Sequence, residues 1–191
     1  MRTLLPVLLL LLTAPETAQS ATPVDTFFAR LAALCGKAFE GRVTSSGEVS
    51  AILAGKRLVM HVRECSANNI RIPVHVGEDR SRTWVVTRTG SALSLRHDHR
   101  HQDGSEDTVT QYGGGSVSVG TAKRQEFPAD QFSKAMFVRA NNPQGVNNVW
   151  IMEVEPRRSF AYELRRPSGF VRFAFDLSKT VTAPPAPWGS R

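Results

Sequence analysis

Between residues 39 and 177 the chain is a succession of short runs in which apolar and polar residues alternate, most of them closed by a tight turn. Phe39, Gly41 and Val43 alternate with Glu40, Arg42 and Thr44, and Leu58, Met60 and Val62 with Val59, His61 and Arg63. Ile70, Ile72, Val74 and Val76 make a longer row, and Trp84 and Val86 another. Trp150, Met152 and Val154 share one face, as do Phe160, Tyr162 and Leu164, and then Val171, Phe173, Phe175 and Leu177. A period of two puts every second side chain on the same side of a strand. Each run therefore offers one apolar face that must be covered by other such faces or by the apolar stripe of a helix. Between them stand turn formers: Ser45-Ser46-Gly47, Gly55-Lys56, Thr89-Gly90-Ser91, Pro156-Arg157 and Pro167-Ser168-Gly169.

Two stretches break the period. Val24, Phe27, Phe28, Leu31 and Leu34 recur at helical spacing. Thr22 caps that helix, Pro23 suits its first position, Asp25 completes a capping box and Gly36 stops it. Pro128-Ala129-Asp130 opens a second, shorter helix with Phe132, Ala135 and Met136 on one face. Other segments read less clearly. A short strand at 51–53 is one reading of the segment before Gly55. Residues 77–81 read as a charged turn, 108–112 as a strand, and Gly113-Gly114-Gly115 as a flexible loop. Val117 and Val119 suggest a further short strand, and 124–127 another. Pro73 withdraws a donor from its strand, which calls for an edge, a bulge or a free side there. The sum is a mainly β chain: an antiparallel up-and-down barrel or half-barrel with an N-terminal amphipathic helix and one short late helix. Its expected interior is Phe39, Leu58, Met60, Ile72, Trp84, Leu95, Trp150, Tyr162 and Phe173.

The ends set compartment and domain limits. Arg2, the apolar run 4–12 and the small residues of Ala18-Gln19-Ser20 read as a secretory signal over residues 1–20. No later run approaches the roughly 20 apolar residues of a membrane span. The mature chain is expected to be exported, periplasmic or secreted, with one domain over 21–178 and a proline-rich tail over 179–191 that Trp188 pins or that is otherwise mobile. The two cysteines, Cys35 and Cys65, then suggest one disulfide, with two separate buried thiols as the alternative. The net charge of +7 is mostly arginine and is scattered. There is no basic block or aromatic-rich motif of a nucleic-acid binder. No serine sits in a Gly-x-Ser-x-Gly elbow, and Glu153 and Glu155 read as an outward charged row facing arginines. His61 and His75 read as surface histidines.

The one constellation with chemical character lies in 93–104. Three of the five histidines, His97, His99 and His101, alternate there in line with Leu93 and Leu95, while Ser94, Arg96, Asp98 and Arg100 take the other face. Neighbours on one strand face lie roughly 6.5–7 Å apart. His97 with His99, or His99 with His101, could thus share a zinc ion with a ligand from elsewhere (Glu64, Asp103 or Glu106), whereas all three could not from a straight strand. The alternatives are a metal-free polar rim, or contact with an anionic or haem-like ligand in which Arg96 and Arg100 would take part.

Trp84, Arg88-Thr89-Gly90, the run Leu95-Arg96-His97-Asp98-His99-Arg100-His101, Asp103-Gly104 and Tyr112-Gly113-Gly114 resemble a set of uncharacterised exported bacterial proteins. That resemblance implies no activity. The order of helix and then meander is similar to the calycin group, the lipocalins and related fatty-acid- or haem-binding barrels, and implies a barrel with a cavity. Three function classes stay open: a non-catalytic barrel that binds a small anionic or apolar ligand, an envelope structural or interaction protein with a protein partner, and a metal-dependent enzyme on the histidine row. Only the last requires a cofactor.

Overall fold

The computed structural model describes residues 20–45, 53 and 55–190. The secretory signal expected at 1–20 lies outside them except for Ser20. Helix α1 (Pro23–Ala32) opens as the capping box requires: Thr22 Oγ1 accepts from the Asp25 N–H at 3.1 Å. Val24, Phe27, Phe28 and Leu31 are buried on its inner face.

Among the described residues eleven antiparallel strands follow: β1 (Ala38–Val43), β2 (Leu58–His61), β3 (Glu64–Cys65), β4 (Asn69–Val76), β5 (Asp79–Thr89), β6 (Ala92–His99), β7 (Tyr112–Gly115), β8 (Arg124–Pro128), β9 (Val149–Glu155), β10 (Ser159–Arg166) and β11 (Gly169–Asp176). Their spatial order is β7-β6-β5-β4-β2-β1-β11-β10-β9-β8, with the two-residue β3 paired to β4 beside the path. Chain neighbours are thus sheet neighbours almost throughout. The first and last strands pair with each other, Gly41 opposite Phe175. The result is a nearly closed antiparallel barrel whose one seam lies between β7 and β8.

That seam explains the glycine triplet. Gly113-Gly114-Gly115 is strand, not loop, and pairs with β6 from Arg96 to Ser94. A Cβ on Gly113 would fall on the carbonyl oxygen of Leu95, and one on Gly114 on that of Pro128. Only glycine lets the backbone pass between β6 and β8 at this distance. The gap is bridged by helix α2 (Gln131–Arg139). The Asp130 N–H donates to Gly113 O at 3.0 Å, Ser133 Oγ accepts from Gly113 N at 2.7 Å, and the Ser133 hydroxyl lies 2.8 Å from Gly113 O. Hence α2 buries Ser133, Met136 and Phe137 and leaves Phe132 52 % exposed, a face turned from the one expected.

Other local expectations shift for similar reasons. Residues 79–81 belong to the long strand β5, so the charged turn shrinks to Gly77-Glu78. Of the strand expected at 51–53 only Leu53 is described, and it is helical; Val117 and Val119 sit in an exposed connection. Pro73 stands in a central strand, at the gap where β4 changes partner from β3 (Arg71 opposite Glu64) to β2 (Val74 opposite Met60), and no donor is needed there. The expected interior residues all join one hydrophobic core, with Phe173 partly buried against it. Cys35 and Cys65 form the disulfide, tying the turn after α1 to β3. Among the described residues no helix is long and apolar enough to cross a membrane.

The tail runs along the outside. The Val181 N–H donates to Ala38 O at 2.9 Å and the Trp188 N–H to Arg80 O at 3.1 Å. Those anchors lie on β1 and β5, so the proline-rich segment between them crosses the outer face of β2 and β4. His61 and His75 lie on that face and are 7 % and 4 % exposed. They are not surface histidines, because the tail supplies an outer layer that strand alternation alone does not reveal.

Candidate functional site

The barrel ends differ. α1 sits at the Arg88 end of β5, where Asp25 pairs with Arg88 at 3.0 Å. At the opposite end, around Arg82, the interior opens into a cavity of about 580 Å³. Its walls include Trp84, His97, His99, Tyr112, Tyr162 and Phe173, with aliphatic side chains such as Val74, Val76, Leu164 and Val171. Pockets of a few hundred Å³ lined mainly by apolar groups and holding few polar ones are the usual form of small-molecule sites.

The histidine row divides along its length. His97 is 3 % exposed, deep in the barrel; His99 is half-buried at the wall; His101 is exposed beyond the end of β6. His97 Nδ1 lies 3.1 Å from the Tyr112 carbonyl oxygen, which can only accept. Nδ1 therefore carries the proton and Nε2 accepts from the Tyr162 hydroxyl at 2.7 Å. His99 Nε2 is 3.0 Å from the Tyr112 hydroxyl. The rings also stack: His97 on Tyr112 at 4.6 Å, and Trp84 on Tyr162 at 4.2 Å between centroids. Burial pushes His97 down to about 3, against the favourable bond to Tyr112 O. Burial, then the charge of Arg82, pushes His99 down to about 4. Burial also pushes the Tyr112 hydroxyl up to about 12 and that of Tyr162 well above its ordinary value. Both imidazoles and both phenols are thus neutral across the physiological range.

The Nε2 atoms of His97 and His99, the expected pair for a metal, are each engaged by a tyrosine hydroxyl. Among the described residues no group of three or more His, Cys, Asp or Glu is placed to hold an ion. Arg96 and Arg100 face outward, as strand alternation places them. Arg96 pairs with Asp130 at 2.6 Å, across the seam. Arg100 pairs with Asp98 at 2.8 Å and Glu106 at 3.0 Å. Asp98 also binds Arg71 at 2.7 Å and is 4 % exposed beside a second, smaller cavity that Pro187, Trp188 and Gly189 of the tail help to line. On the opposite side of the barrel Glu153 joins Arg124 and Arg172 in the outward charged row.

The arginines of the large cavity are Arg82 and Arg166. Sequence reasoning passed over both, although a signal existed. Arg82 is two residues before Trp84, and Arg166 two after Leu164 and four after Tyr162, so each ends an inward-facing row.

No protein-family model matches the chain, and neither a curated protein nor a solved structure is matched by it.

Proposed function

We propose that this is a non-catalytic, exported carrier barrel that binds a small, largely apolar ligand in its open end. The carrying observation is the cavity of about 580 Å³, walled by stacked aromatic rings and aliphatic side chains, with its histidines and tyrosines neutral and bonded to one another. An apolar body gains about 25 cal/mol for each Å² it withdraws from water against such walls. Export is supported by the disulfide and by the character of residues 1–20. Likeness to the calycins rests on architecture alone, a meander closed into a barrel with a helix at one end. Likeness to exported bacterial proteins rests on the His-Asp-His-Arg-His segment.

Titration with the neutral fluorophore N-phenyl-1-naphthylamine tests the reading. Saturable binding at one site, with energy transfer from tryptophan, is the expected result. Absence of saturable binding, in protein freed of bound material by solvent extraction and refolding, would refute it.

A further inference from the structure

Among the described residues the charges of the large cavity do not balance: its wall holds Arg82 and Arg166, and none of its described lining residues is an aspartate or glutamate. Arg82 is already paired with Asp79 across their own stretch of β5. Arg166 has no ion pair among the described residues; its Nε donates to Asn148 Oδ1 at 2.8 Å. Asn148 is 3 % exposed, immediately before β9, and so makes a firm bracket. With Nε engaged, the two terminal nitrogens of the guanidinium remain, the fork that matches a carboxylate in shape.

The fork's charge is felt inside the barrel. Arg166, like Arg82, acts on both the Tyr112 and Tyr162 hydroxyls to make them easier to ionise. His97 and His99 are neutral and add no charge, so one positive charge, unopposed among the described residues, stands beside aromatic walls. A phosphate dianion would call for more cationic donors than this single fork.

We propose that the cavity selects monocarboxylates: small acids whose apolar body lies against Trp84, Tyr162 and Phe173 while the carboxylate takes the terminal nitrogens of Arg166. This rests on the cavity being a ligand site, as set out above. Arg166 is then the specificity-determining residue, and the same acid lacking its charge is discriminated against.

Displacement of N-phenyl-1-naphthylamine by 2-naphthoate and by the neutral 2-naphthylmethanol tests this, in the wild-type chain and in Arg166→Gln. At neutral pH the acid should bind about tenfold more tightly than the alcohol, the span of one charge-assisted pair at a partly open site. In Arg166→Gln the two should come within about twofold, each displacement constant being referred to the fluorophore affinity measured in that same protein. In the wild-type chain alone, raising salt to about 0.5 M should weaken the acid and leave the alcohol unaffected, a readout that stands even if the variant does not fold. Equal binding of acid and alcohol by the wild type, or an acid preference that survives Arg166→Gln, would overturn the inference. So would failure of both compounds to displace a bound fluorophore, which leaves the cavity itself intact as a ligand site. A fluorophore that does not bind removes the cavity reading and this inference together.

Discussion

At the scale of the residue, His97 links stability to the cavity. It is buried, holds its neutral form, and gives the Tyr162 hydroxyl its acceptor. His97→Ala takes away the acceptor for that hydroxyl's hydrogen and opens a void, two costs that add to about 2–4 kcal/mol in urea unfolding. The same burial fixes the response to acid. In the unfolded chain histidines take up protons near 6.5, whereas in the folded chain His97 and His99 do so only near 3 and 4. Burial also lowers His61, with Arg63 opposing its charge, and His75, with Arg80 opposing. Below pH 6.5 the unfolded state therefore binds more protons than the folded one, and stability falls as pH falls. Between pH 6.5 and 4, each histidine that stays neutral in the folded chain adds a slope approaching about 1.4 kcal/mol per pH unit. Urea midpoints measured from pH 8 to 4 should hold level and then decline from about pH 6.5. A stability that is flat to pH 5 would contradict the burial of these rings.

At the scale of the element, closure depends on β7. Gly114→Ala places a methyl group on the Pro128 carbonyl oxygen, while Gly115→Ala meets nothing nearer than the Leu93 carbonyl oxygen at 3.9 Å. The first substitution should cost at least about 3 kcal/mol and the second no more than about 1 kcal/mol; equal costs, read by thermal unfolding, would place the seam elsewhere. The strands were largely legible in the chain because period-two alternation reports one buried face. β7 was not, because a strand of glycines has no side chains to alternate; its identity is set by the backbones of β6 and β8, far away in sequence. The α2 face was misread for a related reason. Ser133, a polar residue, turns inward to bridge Gly113, and a rule that counts apolar residues looks past it.

At the scale of the whole molecule, two covers complete the barrel. The disulfide holds α1's end to β3 across a separation of 30 residues. In the chain-entropy account, a loop of that length stabilises by roughly 3–4 kcal/mol, so Cys35→Ser with Cys65→Ser should lower stability by about that amount while leaving ligand binding intact. The tail covers the outer face over His61 and His75, and nothing in the strand pattern announced a second layer. In the candidate site, sequence reading located the histidine strand and its inward face. It could not say that tyrosines from β7 and β10 would take the imidazoles, or that Arg82 and Arg166 would meet at one mouth, since these contacts join strands up to 84 residues apart. The central claim is that this mouth leads to a binding cavity. It is tested most directly by comparing the wild-type chain with Val171→Trp, which places an indole in the cavity wall, in equilibrium titration with N-phenyl-1-naphthylamine. The wild type should bind with a micromolar dissociation constant, about −8 kcal/mol, and a folded Val171→Trp should lose that binding; equal binding by both proteins would contradict the account.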